Sequence, residues 1–567
     1  MAQKNPHGYV FSPEYNVLMQ AITTSNGPAI QQILAGSPDL IHVKGWHGMT
    51  VLHRACLGGN FDVIHLLLRA GSDPNVPNNN GETSTHFACK RGNASVLHLV
   101  LEFGGDITAV DKQGRGAVHH AAESGSVCLL HYLHTVCNLG FQVVDSRLQT
   151  PFHIVCTYGH MDTLKYFLRK QRHDTMKMNI DGDTPLHILA REGHSHLCWL
   201  LLCETGCQAL HTVNNAGYNP KDLAEQRDKI GHREITPVLQ HFYNLSKYNR
   251  TIEVKGPVLL WYWFLLMPAG VYSLLIVLSH IVPPAFQGII FLVGLFYIMF
   301  TQAKQLHRIQ HVCRWPNPMY AGVFGAGLFH TFLAYFIIVF PYVSQYSVLL
   351  ILSPLLLSIL LYLYWKVLTI DPGVVKNSCY DNQLRRELTL LDLCQPPRKV
   401  EDFCIECEIV KPRLTKHCKL CRECYRDMDH HCLFLLRCVA GNNQIYFVWF
   451  ICVCLLSMFI FVGISLFHCH NFYDRLPIHE MVGQLFLHDS WLLSLMIMNV
   501  LSMVWGVNLL RTQFAVIAEG LTNYFRPAGY ESVLTAKEKM LNIVYFMLAK
   551  PPYVKNPQEE KVLNIHV

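Results

Sequence analysis

With 567 residues the chain is too long for one hydrophobic core, so two or more structural units are expected. Hydrophobic residues make up 51% and charged residues only 15%, a balance unusual for a soluble protein of this size, with the apolar residues concentrated in the second half. The net charge of +6 is mild and sits mostly beside apolar runs, so it reads as membrane-flank charge, and no nucleic-acid partner is expected.

The chain opens Met-Ala-Gln-Lys-Asn-Pro-His, which lacks the apolar core of a signal peptide, so the first domain is expected in the cytosol. The 21 cysteines do not form a secreted disulfide pattern. Several stand in helical repeats (Cys56, Cys89, Cys156), and reduced thiols or metal ligands suit them better. His53, His86, His119, His153 and His187 recur every 33 or 34 residues. Each lies in a Thr-Pro-Leu-His-like box, cleanest at Thr150-Pro151-Phe152-His153 and Thr184-Pro185-Leu186-His187. A small-residue helix, a glycine and a second apolar helix follow each box, as at Val63–Leu68. This pattern resembles the ankyrin repeat, whose stacked helix pairs bury one continuous core. Degenerate capping units are expected near 12–45 and 215–245, the second marked by Asn219-Pro220-Lys221-Asp222-Leu223-Ala224. At a helix start the repeat histidines bond backbone, so they are not read as metal ligands.

Six membrane spans are predicted: Pro257–Ser279, Phe286–Ala303, Tyr320–Phe340, Tyr346–Trp365, Ile445–Phe467 and Trp491–Leu510. Their flanking charge alternates. Lys247, Arg250 and Lys255 precede the first span, and Lys304, Arg308 and Arg314 follow the second. The loop after the fourth carries Lys411, Arg413, Lys416, Lys419, Arg422 and Arg426; that after the fifth carries Arg475, and Arg511 follows the sixth. The intervening loops 279–287 and 341–347 have no Lys or Arg, so the N-terminus, the large loop and the C-terminus are expected on the cytosolic side. Asn499 and Asn508 inside a span could line a cavity, and interhelical hydrogen bonding is the preferred reading. The segment between the last two spans, 468–490, is polar and of mixed charge, which argues against a channel pore.

The densest chemistry lies between Cys404 and Cys438: Cys404-Ile-Glu-Cys407, His417-Cys418-Lys-Leu-Cys421-Arg-Glu-Cys424, Asp429-His430-His431-Cys432 and Cys438. Seven cysteines and three histidines fall in this stretch. Tetrahedral zinc takes four such ligands, so two closed sites use eight of the ten and leave two over. A leftover histidine and cysteine two positions apart would be a base beside a nucleophile.

These motifs, with Lys411-Pro412-Arg413, resemble the cysteine-rich domain of the DHHC protein S-acyltransferases, in the branch that bears ankyrin repeats. Asp371-Pro372-Gly373 after the fourth span matches the family's Asp-Pro-Gly motif, and Asn443 and Phe447 match its residues after the last zinc ligand. The resemblance implies one zinc on Cys404, Cys407, His417 and Cys424, and a second on Cys418, Cys421, His431 and Cys438. Both would be structural. It leaves Cys432 as nucleophile, His430 as base and Asp429 to fix the imidazole tautomer. Three positions depart from the family: Leu433-Phe434 replaces Pro-Trp, Arg437 stands where many members have Asn, and Thr522-Asn523-Tyr524-Phe525 replaces Thr-Thr-x-Glu and loses its acid.

The fold expected is mainly α, an ankyrin solenoid followed by a six-helix transmembrane domain with a cytosolic two-zinc insert. Its divisions are 12–245 (ankyrin repeats), 257–370 (first four spans), 371–444 (cysteine-rich region), 445–510 (last two spans) and 511–567 (cytosolic tail). The implied function is protein S-palmitoyl transfer from palmitoyl-CoA or another long-chain acyl-CoA, through an acyl-Cys432 intermediate, to cysteines of membrane-associated or cytosolic proteins. The ankyrin repeats would recruit those substrates, in the Golgi or endoplasmic reticulum membrane. The alternative is a catalytically weak or inactive ankyrin scaffold at the bilayer.

Overall fold

A computed structural model describes residues 12–169, 174–226, 230–247, 258–283, 286–290, 293–294, 296–297, 317–343, 347–473, 476–526 and 532–552. The chain forms two compact units, 1–254 with 379–410, and 255–378 with 411–567.

In the first unit, helix pairs repeat at Val51–Gly58/Phe61–Arg69, Ser84–Arg91/Ala94–Glu102, Ala117–Ser124/Val127–Thr135, Pro151–Tyr158/Met161–Arg169 and Pro185–Glu192/Ser195–Thr205. Pairs at Pro13–Thr23/Gly27–Gly36 and Pro220–Glu225/Ile230–Lys247 flank them. The histidine boxes explain both the starts and the stacking. At Thr50 the backbone N–H donates to His53 Nδ1 at 3.0 Å, while His53 Nε2 donates to the Glu82 carbonyl of the next repeat at 3.1 Å. His153 reaches the Lys177 carbonyl (3.0 Å) and His187 the Tyr218 carbonyl (3.2 Å) in the same way. One neutral ring thus caps its own helix and satisfies a carbonyl of its neighbour. The first helix of each of the five repeating pairs ends on a left-handed glycine, as at Gly59 (φ 80°), a conformation that costs a side-chain-bearing residue energy.

Residues 379–410 pack into the same core as the repeats. Leu388, Leu390, Leu393 and Phe403 are buried there, and Phe403 stacks on His131 with ring centroids 5.3 Å apart. Arg169 donates to the Ile405 carbonyl at 3.0 Å and pairs with the Glu406 carboxylate. No periodicity in the sequence joins this segment to the repeats; its apolar residues, unpartnered in a polar loop, supply the reason.

Among the described residues of the second unit, five helices are long and apolar enough to cross a bilayer: Val258–Leu278, Met319–Ile338, Ile351–Thr369, Gln444–Phe472 and Ser490–Ala518. The other expected span, Phe286–Ala303, is described only at 286–290, 293–294 and 296–297, and the flank charges Arg250, Lys255, Lys304, Arg308, Arg314 and Arg475 lie outside the described residues. The last helix runs to Ala518, well past the expected end at Leu510. Hydropathy stops at the first polar residues, but the helix continues because polar Gln513 is buried with hydrogen-bond partners on both sides. Within 468–490, Ile478–His488 is helical, with Met481 and Leu485 buried one turn apart. Asn499 donates to Thr331 Oγ1 at 2.9 Å, the interhelical bond expected of it.

Short strands carry the polar insert. Thr415–Cys418, Glu423–Arg426 and Val374–Val375 form one antiparallel sheet, and His430–Cys432 pairs with Arg437–Val439. The Asp371 carboxylate closes the preceding turn by accepting from Gly373 N and Val374 N at 2.9 Å each. Asn443 accepts from Ala440 N at 2.9 Å and donates to the Cys438 carbonyl at 3.1 Å, tying the second hairpin to the start of the helix Gln444–Phe472.

Candidate active site

The hairpin His430–Cys432/Arg437–Val439 sorts its side chains by strand alternation. His431 points one way, to a sulfur cluster; His430 and Cys432 point the other, toward the membrane helices. His431 Nδ1 lies 3.6 Å from Cys418 Sγ, 3.4 Å from Cys421 Sγ and 3.6 Å from Cys438 Sγ, and Cys421 and Cys438 Sγ are 3.6 Å apart. Four ligands about 2.0–2.3 Å from one zinc stand at about these separations along a tetrahedron's edges, so the donor set fits zinc. Of the second expected quartet, His417 Nδ1 and Cys424 Sγ stand 3.8 Å apart across paired strands, and Cys404 lies in the Phe403–Cys404/Ile409–Val410 hairpin. The Glu82, Asp111 and His120 group is also close, but there the Asp111 carboxylate already holds Arg115 at 3.2 Å and its backbone N–H at 2.9 Å.

Cys432 and His430 lie outside both clusters. Cys432, two residues along the same strand, lies on one side of His430, and His430 Nδ1 donates to Asp429 Oδ2 at 2.7 Å on the other. Phe447 closes on the imidazole in a T-shaped contact, centroids 5.4 Å apart. Asp429 is saturated. Its Oδ2 also accepts from Gln513 Nε2 (2.7 Å) and Asn523 Nδ2 (3.0 Å), and its Oδ1 from Asn523 N (2.8 Å). Thr522 donates to the Met428 carbonyl at 2.9 Å. Burial opposes charge on Asp429, but the hydrogen bonds and charge of His430, with the Asn523 and Gln513 donors, outweigh it and hold the carboxyl below its ordinary value. Burial likewise pulls His430 down, yet the bonds to Asp429 and Cys432 raise it to about 9.

Beside this relay is an apolar cavity of about 220 Å³ among the spans, lined by Phe324, Phe434, Phe450, Ile451, Cys454 and Trp505 among others. Cys432, 7% exposed, belongs to the same hydrophobic cluster as Phe450, Ile451 and Cys454. Phe434 packs against Trp505 (centroids 5.0 Å apart) and Tyr320 (5.9 Å), so an aromatic ring lines the cavity at the position where the resemblance expects Trp. Arg437 bonds the Leu368 carbonyl at the end of the third described span.

Residues 398–527 match the family model described as DHHC palmitoyltransferase, and 52–143 and 118–214 match the ankyrin-repeat model. The chain carries a DHHC palmitoyltransferase domain and ankyrin repeats. It is 30% identical over 224 residues to "Palmitoyltransferase akr1" of Aspergillus oryzae, covering 38% of this chain and 30% of that protein. It is 25% identical over 360 residues to the protein of the same name in Emericella nidulans (62% and 44%), and 24% over 374 to human "Palmitoyltransferase ZDHHC13" (61% and 55%). This DHHC protein thus matches these relatives over roughly a third to a half of their length.

Two groups at the site have no counterpart in the sequence reading. Gln513 lies in a predicted post-span tail, and Asn523 in a stretch judged from its lost acid. For Asn523 the signal was position: an amide keeps both a donor and an acceptor where the family has a hydroxyl.

Proposed function

We propose that this protein is a protein S-palmitoyltransferase whose nucleophile is Cys432, whose base is His430 and whose orienting acid is Asp429. The observation that carries the reading is one continuous relay, Asp429–His430–Cys432, set against an apolar cavity inside a matched DHHC domain.

The buried carboxylate keeps the Nδ1–H of His430 on its own side, which leaves Nε2 for the sulfur. His430 takes the Cys432 proton to give the nucleophilic thiolate as the substrate is engaged. That thiolate attacks the thioester carbonyl of a long-chain acyl-CoA, the carbon–sulfur bond to CoA breaks, and His430 returns the proton to the departing CoA sulfur. A substrate cysteine then gives its proton to His430 as its sulfur attacks acyl-Cys432, and Cys432 leaves as thiolate. The tail would occupy the cavity lined by Phe434 and Trp505, and Lys and Arg of the 411–426 loop would attract the CoA phosphates. Zinc at Cys404, Cys407, His417 and Cys424, and at Cys418, Cys421, His431 and Cys438, would brace the insert and take no part in chemistry.

The proposal includes a sixth span at 286–303, the division 12–245, 257–370, 371–444, 445–510 and 511–567, and termini and zinc insert on the cytosolic side of Golgi or endoplasmic reticulum membranes. The ankyrin repeats would bind the proteins to be acylated. Incubating purified protein with labelled palmitoyl-CoA tests the reading. A hydroxylamine-labile label on the wild type that is absent in Cys432→Ser supports it; an unlabelled wild type leaves the scaffold alternative.

A further inference from the structure

The acylation reading explains Asp429, His430 and Cys432 but not why a glutamine is buried at the foot of an otherwise apolar span. Gln513 is fully buried in the helix Ser490–Ala518. An amide removed from water costs stability unless both of its ends are paired, and here both are. Its Nε2 lies 2.7 Å from Asp429 Oδ2, and its Oε1 lies 3.1 Å from Nε2 of Gln444, itself buried.

The chemistry of the partners fixes the direction of this chain. An ionised carboxylate can only accept, so the Gln513 atom facing Asp429 is the NH₂ group. Its carbonyl oxygen must then face Gln444, which has to donate. The sequence of donors runs Gln444 to Gln513 to Asp429, and His430 donates to the same Asp429 oxygen from the opposite side. Gln444 is the first residue of its helix, directly after Asn443, which grips the Cys438 carbonyl. The two glutamines therefore connect the first turn of one span, the last turns of another and the carboxylate that orients the base.

We propose that Gln513 is a positioning residue for acyl transfer: it holds the Asp429 carboxylate in the rotation that aims Oδ2 at His430 Nδ1, and Gln444 fixes the direction in which the Gln513 amide points. This deepens the acyltransferase reading and rests on it. Without Gln513, Asp429 keeps only Asn523 and His430 as donors, and nothing from the membrane helices restrains its carboxylate plane. Removing an outer partner of this kind costs about 10- to 100-fold in better-studied polar sites.

The test is single-turnover formation of the labelled acyl-enzyme by the purified full chain in detergent, with bound zinc measured on the same samples. For Gln513→Leu the first-order rate at saturating palmitoyl-CoA should fall by about 10- to 100-fold. The half-saturating palmitoyl-CoA concentration and the zinc content should match wild type. Gln513→Glu, the same size but able only to accept, should be slower than Gln513→Leu, since it sets a second carboxylate against Asp429. Gln444→Leu leaves the Gln513–Asp429 contact in place and should lose less than either. The proposal is overturned if both Gln513 variants react at the wild-type rate, or if their defect is confined to zinc loss or weaker saturation. A wild type that takes no label overturns the acyltransferase reading and this inference together; a labelled wild type with equally fast Gln513 variants overturns the inference alone.

Discussion

Asp429→Asn is the sharpest perturbation of the relay, because it removes charge and almost no volume. The native carboxylate accepts four hydrogen bonds, three at Oδ2 from His430, Gln513 and Asn523 Nδ2, and one at Oδ1 from Asn523 N. An asparagine must aim its NH₂ at one of these two places. Turned toward Oδ2 it opposes three donors; turned toward Oδ1 it opposes one backbone N–H. The second is cheaper, and one orphaned buried donor costs about 1–3 kcal/mol. The fold should therefore survive, with both zinc sites filled. The reaction should not, because the imidazolium formed as His430 takes the Cys432 proton loses its counter-charge at 2.7 Å. General-base catalysis with an oriented imidazole contributes on the order of 10²–10⁴-fold, so the acyl-enzyme should form about a thousandfold more slowly. Quenched-flow measurement with labelled palmitoyl-CoA reads this rate, and metal analysis of the same sample reads the zinc. A variant that keeps its zinc and reacts within about threefold of wild type would refute the role given to Asp429.

Three further outcomes follow from other parts of the molecule. Purified wild type should carry two zinc ions per chain from the clusters holding Cys407 and Cys421, and Cys421→Ser should carry one; a wild-type value of one or none contradicts the two-cluster assignment. Burial keeps His53 and His86 neutral down to about pH 4 in the repeats, against 6.5 for a free ring. Their contribution to array stability is therefore complete above pH 6.5 and lost as the pH falls toward 4, by about 3 kcal/mol for each ring. Hydrogen exchange at Val51–Gly58 and Ser84–Arg91, corrected for intrinsic rates, should accelerate over that window, and flat protection would contradict the account. Gly506 lines the cavity, and a Cβ there meets Leu455 at 2.8 Å, so Gly506→Phe should shorten the space for a tail. Competition between acyl-CoA donors should then shift toward shorter chains; an unchanged preference would place the tail elsewhere.

What the sequence made legible was set by spacing. The repeat histidines announced themselves because one ring caps its own helix and bonds the next repeat, a job that recurs with the repeat period. The assignment of ligand quartets came from the family resemblance, whereas the alternation that sends His431 to one face of its strand and His430 and Cys432 to the other is local geometry. Gln513 and Asn523 carry no such mark. Their bonds to Asp429 join residues 84 and 94 positions apart, and only the folded bundle brings them together. The docking of Leu388, Leu390, Leu393 and Phe403 against the repeats was hidden likewise, because a loop too short for periodicity gives no sign of where its apolar side chains go. The last span was drawn short at Leu510 because Arg511 and Thr512 end the apolar run, although the helix itself continues to Ala518.

Locating the acyl group by mass spectrometry tests the account where it is most exposed. Brief incubation of the full chain with palmitoyl-CoA, followed by proteolysis without reducing thiols, should place a thioester-linked palmitoyl group on the peptide containing Cys432. The same peptide should lose it on addition of an acceptor protein bearing a free cysteine. Palmitate found instead on one of the other cysteines, with Cys432 unmodified at every time, would contradict the assignment of the nucleophile.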